Sequence, residues 1–68
     1  MKYTGEFRTV ESKEYGRVNI LKYKSTSSIP YCECTRCGKD IKKIMYVVQD
    51  ENDVEVEYLG SECIKHFK

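Results

Sequence analysis

Cys34-Thr35-Arg36-Cys37 is answered near the C-terminus by Cys63-Ile64-Lys65-His66, and this constrains the fold more than any other feature. Two close pairs of soft or borderline ligands, separated by a long insert, are what a tetrahedral structural zinc site requires. The chain has only 68 residues, of which 40% are hydrophobic and none is Trp. A domain of about 60 residues buries only about 60% of the surface its unfolded chain exposes, so it is marginal without a staple. The expectation is one domain over residues 1–68 with a thin core. It divides into a β-hairpin arm over 1–24 and a zinc-binding unit over 31–68. The opening Met1-Lys2-Tyr3-Thr4-Gly5-Glu6 lacks an apolar signal stretch, and no apolar run nears the roughly 18 residues of a membrane span. A cytoplasmic protein away from membranes is therefore expected, in a reducing compartment where paired thiols bind metal more often than each other.

The first half has strand character. Glu6-Phe7-Arg8-Thr9-Val10 suits a half-buried pleated surface, and Arg17-Val18-Asn19-Ile20 alternates before running on to Lys24. The polar connection Glu11–Gly16 between them predicts an antiparallel hairpin. Ser25-Thr26-Ser27-Ser28-Ile29-Pro30 is a connection rather than an element. In the second half, Gly38 follows Cys37 directly. A chain wrapping a metal turns sharply and points its amides back at sulfur, so a residue that accepts positive φ belongs there. Ile41–Gln49 is β-branched and aromatic, and Asp50-Glu51-Asn52-Asp53 is an acidic tip. Val54–Leu59 alternates, with Val54, Val56 and Tyr58 on one face and Glu55 and Glu57 on the other, which predicts a second hairpin with a solvated acidic face. Gly60 ends that strand. Ser61 is placed to cap a short helix, and Cys63 and His66, three apart, share one side of it.

The expected ligands are Cys34, Cys37, Cys63 and His66, around one structural Zn²⁺. Cys32 is the alternate fourth ligand, since Cys32 and Cys34 point the same way in an extended chain; otherwise it is a plain buried thiol. Iron in an all-sulfur site is a variant, because tetrahedral sulfur accepts either metal. A thioredoxin-like dithiol at Cys34 and Cys37 needs a βαβ context that the sequence does not offer. Structural zinc contributes about 10–16 kcal/mol in small peptides, against net domain stabilities of about 5–15 kcal/mol. Residues 31–68 are thus expected to unfold when the metal is stripped, and Cys37→Ser to be worse than Cys32→Ser.

The order of knuckle, β-hairpin and short helix carrying the last two ligands resembles the treble-clef zinc fingers over residues 31–68. The resemblance implies a small α+β metal-stabilised domain, preceded here by the N-terminal β-hairpin, with Cys34 and Cys37 as knuckle ligands and Cys63 and His66 as helix ligands. Tyr58-Leu59-Gly60-Ser61-Glu62-Cys63 is similar to the strand-to-helix corner of small zinc-ribbon-like proteins of bacteriophages and bacteria, which implies a phage-encoded binder or inhibitor of a host protein.

Four ligands close a zinc site, and the chain's one His is used on the metal. No catalytic constellation or room for a small-molecule substrate is left, so the expectation is a non-enzyme. A protein-interaction module is expected first. Treble clefs of this size often serve that way, the acidic face of Glu55 and Glu57 would steer toward a basic partner, and Tyr is enriched at interface hot spots. The alternative is nucleic-acid binding through Arg36, Lys39, Lys42 and Lys43 around the knuckle, with Lys22 and Lys24 flanking Tyr23 as a stacking platform. The formal net charge of +1, with five acids and no base between residues 45 and 58, weighs against that alternative.

Overall fold

The computed structural model describes residues 2–26 and 32–67. Residues 27–30 of the expected connection, and Tyr31 at the expected start of the zinc-binding unit, lie outside the described residues. The strands are β1 (Lys2–Ser12), β2 (Gly16–Lys24), β3 (Cys32–Glu33), β4 (Asp40–Ile41), β5 (Ile44–Gln49) and β6 (Glu55–Leu59). A single short helix, α1 (Ser61–Ile64), follows. β1, β2, β5 and β6 form a four-stranded antiparallel sheet in that order, and β3 and β4 form a separate two-stranded ladder.

The first hairpin closes through Lys13-Glu14-Tyr15, with Ser12 opposite Gly16. A three-residue turn of this kind needs a left-handed residue, and Gly16 supplies it at φ 74°. Ser12 Oγ accepts the backbone amides of Glu14 (3.1 Å) and Tyr15 (2.9 Å), which pins the turn from inside. The hairpin is not a separate arm, however. β2 pairs with β5 from Asn19↔Gln49 to Lys24↔Ile44, so one sheet runs through both halves of the chain.

Register places Val18, Ile20, Val48 and Leu59 on one face of this sheet, where Ile64 and Phe67 join the same core. Met45 and Val47 are buried on the other face, with Leu21, Tyr23 and Tyr58 half-buried beside them. β5 is thus covered on both sides, which is why Ile44–Gln49 is nearly continuous in apolar residues. β1 contrasts with it: Lys2–Thr9 are all exposed, and Phe7 is 63% exposed. Tyr3 pairs with Tyr23 but Phe7 with Leu21, so β1 carries two extra residues in a bulge that includes Gly5 at φ 87°.

Three local expectations are corrected. The strand expected over Ile41–Gln49 breaks at Lys42-Lys43, leaving buried Ile41 in β4. Gly60, not Ser61, is the N-cap of α1, and no side chain caps the helix. The faces of β6 are also inverted relative to expectation. Val48 pairs with Glu57 and Gln49 with Glu55, so Val56 is an extra residue in a bulge. A bulge shifts the phase of everything beyond it. Glu57 and Leu59 therefore face the core, at 6% and 0% exposure, while Val54 is 54% exposed.

Candidate metal centre

The Sγ atoms of Cys34, Cys37 and Cys63 lie within 4.8 Å of one another. Cys34 is buried directly after β3, Cys37 is exposed at the end of the turn, and Cys63 is half-buried in α1. The knuckle forms because the chain folds back within five residues. Cys34 N–H donates to the Lys39 carbonyl at 2.8 Å, and Gly38 N–H donates to the Cys34 carbonyl at 2.9 Å. Gly38 takes φ 77°, the left-handed conformation expected of it, where a side chain would be strained.

The electrostatics favour a thiolate at Cys34. Burial pushes the Cys34 thiol up, but backbone amides of Cys37, Gly60 and Arg36, together with the Cys63 thiol, hydrogen-bond its sulfur and bring it down to about 6. Cys63 goes the other way, to about 12, because its thiol hydrogen-bonds to the sulfurs of Cys34 and Cys37 and so holds its proton. Three soft donors this close can share one ion, and their chemistry suits zinc, iron or another thiophilic metal alike.

The other two candidate ligands stand apart. Neither His66 nor Cys32 joins the three-sulfur group. His66 is exposed in the turn after α1, its backbone N–H donating to the Cys63 carbonyl at 3.1 Å. The Cys32 thiol is half-buried 3.3 Å from Met45 Sδ, and burial, with neighbouring Cys34 adding to it, raises its pKa.

The candidate partner-binding residues divide. Lys39, Lys42, Lys43 and Glu55 are exposed as expected. Glu55 accepts from Tyr58 OH at 2.5 Å, a contact the Val56 bulge makes possible by putting residues three apart on one side. Tyr23 is half-buried against Tyr3, with ring centroids 5.3 Å apart, rather than presented as a free platform. Glu57 is buried, and Arg36, though still exposed, is tied to it. The Arg36 guanidinium donates to Glu57 Oε2 from Nε (2.9 Å) and Nη2 (2.6 Å), and to Glu14 Oε1 at 3.0 Å. Glu57 also accepts from Tyr15 OH at 2.9 Å and Thr35 Oγ1 at 2.5 Å. The sequence offered one signal for this inward carboxylate: Tyr58 and Leu59 are consecutive apolar residues, which leaves the phase of the strand open.

Among the described residues, no helix is long and apolar enough to cross a membrane. No protein-family model, curated protein or solved structure matches the chain.

Proposed function

We propose that the chain is a non-catalytic, zinc-organised protein-interaction module of treble-clef type. The observation that carries this reading is the gathering of Cys34 and Cys37 from the knuckle with Cys63 from α1, on either side of the β5–β6 hairpin. That order of ligand-bearing elements is the one the resemblance implies. His66, three residues after Cys63, is the assigned fourth ligand, with Cys32 its competitor. Four protein ligands leave zinc a structural role.

The contact surface is the outer edge of β1. No described strand pairs with it, and Phe7 and Tyr3 are exposed along it. An unpaired edge offers a row of backbone donors and acceptors to an incoming strand, and exposed aromatic side chains supply affinity. The nucleic-acid alternative retains exposed Lys39, Lys42 and Lys43 but loses Arg36 to internal partners and half-buries Tyr23.

Elemental analysis of the reduced, untagged protein tests the metal assignment, with about one equivalent of zinc or iron expected and neither metal overturning it. Co²⁺ substitution separates the fourth ligands: His66→Ala alters the ligand-field bands if His66 binds, and Cys32→Ser does so if Cys32 binds. A salt titration against single-stranded DNA and RNA tests the alternative. Affinity that falls with salt and with joint Lys42→Glu and Lys43→Glu substitution favours nucleic acid; no binding at low salt removes it.

A further inference from the structure

Glu57 is the acidic residue that the described part of the fold buries, and every hydrogen bond it accepts comes from a segment distant in sequence. Tyr15 reaches it from the turn of the first hairpin, while Thr35 and Arg36 reach it from the knuckle. Arg36 in turn holds Glu14 and lies 5.3 Å over the ring of Phe67, so the chain's last core residue joins the same assembly. No buried side-chain nitrogen or oxygen among the described residues lacks a partner. A buried carboxylate is tolerated on that condition, and removing its cation would leave it uncompensated.

The position of this assembly matters more than its strength. Thr35 and Arg36 are the two residues between the knuckle cysteines. Thr35 N–H donates to the Tyr58 carbonyl at 2.9 Å, one residue after Glu57. Gly38 N–H closes the same turn onto the Cys34 carbonyl at 2.9 Å, and Ile64 N–H donates to the carbonyl of Gly60, between β6 and Cys63, at 3.1 Å. β6 therefore grips the knuckle at Glu57 and Tyr58, then leads within a few residues to the third thiol.

We propose that Glu57 and Arg36 are positioning residues for the metal centre, holding Thr35-Arg36 against β6 so that the three sulfurs are gathered before an ion arrives. Neither side chain is a ligand. Each acts through the backbone that carries Cys34 and Cys37, in the manner of the outer-shell partners that orient metal ligands elsewhere. The inference rests on the reading of the three thiols as a metal site.

The test measures Zn²⁺ affinity of the full reduced chain by competition with a chromophoric chelator, comparing wild type with Glu57→Gln and Arg36→Lys. Gln keeps the shape and loses the charge; Lys keeps the charge and loses the paired donors. Each folded variant should bind about 10–100-fold more weakly, as outer-shell substitutions commonly do. The Co²⁺ absorption bands should be unchanged, because the ligands are the same. Equal affinity in a folded variant, with only the melting temperature lowered, overturns the inference and leaves the metal reading intact. Absence of zinc binding by wild type overturns both. A measurement on wild type alone guards against variants that do not fold: in the metal-free chain, the Thr35 amide should exchange as slowly as those of β6. Fast exchange at Thr35 beside a protected β6 overturns the inference.

Discussion

In the sheet, Val18, Val47, Val48 and Leu59 are sealed from solvent and make their contribution through contact area. In the knuckle beside it, Cys34 is the only buried side chain between residues 34 and 39, and the backbone is held by named hydrogen bonds and three sulfurs. Apolar burial is non-directional and spread over many contacts, so a sheet of this kind loses stability in proportion to what is removed. A knuckle held by a few directional partners fails when any one of them is lost. The chain thus joins a tolerant half to an exacting one along β6, which belongs to both.

Metal removal probes that contrast most strongly. A chelator should lower stability by several kcal/mol, less than the about 10–16 kcal/mol by which zinc organises peptides lacking any other core. Far-UV circular dichroism should retain its strand signal, with amide exchange faster than in the zinc-bound protein at Gly38 and Ile64–Phe67, and unchanged at Thr35 and in β2 and β5. The expectation that all of residues 31–68 unfold is revised because β5 and β6 are bonded into the sheet with β2. Loss of the whole strand signal would show that the two regions melt as one. Next in size is Leu59→Ala, which empties a fully buried site and should cost about 2–5 kcal/mol in denaturant unfolding, with stoichiometric zinc binding preserved in the folded variant. Equal loss of metal stoichiometry would erase the distinction between the halves.

A smaller effect comes with acid. Burial pushes the Glu57 carboxyl up, but hydrogen bonds from Thr35, Arg36 and Tyr15 outweigh it and hold the group below its ordinary value of 4.5. A depressed carboxylate contributes stability that is present above its unfolded pKa and lost as pH falls through its folded one. Below about pH 4.5 the metal-free wild type should therefore lose stability more steeply than Glu57→Gln. Parallel acid curves would mean that the carboxylate is not ionised in the fold. Smallest is Phe7→Ser, on the exposed strand, which should shift stability by no more than about 0.5 kcal/mol. A larger loss would mean that β1 is covered in solution, which size-exclusion chromatography of wild type and variant would check.

What the sequence made legible follows the same division. Local demands were readable: Gly38 after the second knuckle cysteine, a turn between Ser12 and Gly16, a strand ending at Leu59, and three of the thiols that meet. Each is decided by a few adjacent residues. The pairing of β2 with β5 was not readable, because any apolar strand face is a suitable neighbour for another and spacing does not choose between them. Nor was the inward turn of Glu57. Alternation assigned it to solvent, and only the Val56 bulge together with Tyr15, Thr35 and Arg36 makes its burial tolerable. His66 follows Cys63 by three residues, and the turn that continues past α1 keeps that offset through the His66 N–H bond to the Cys63 carbonyl.

The bulge makes β6 unevenly sensitive to its own length. Deleting Val56 would leave Glu57 opposite Val48 and Glu55 opposite Gln49 in an unbroken ladder, whereas deleting a residue between Glu57 and Cys63 would pull the third thiol out of step with the sheet. Exchanges of one side chain for another leave that spacing untouched, whereas a single-codon loss there resets it. Variation in length should accordingly be found before Glu57 and not between Glu57 and Cys63.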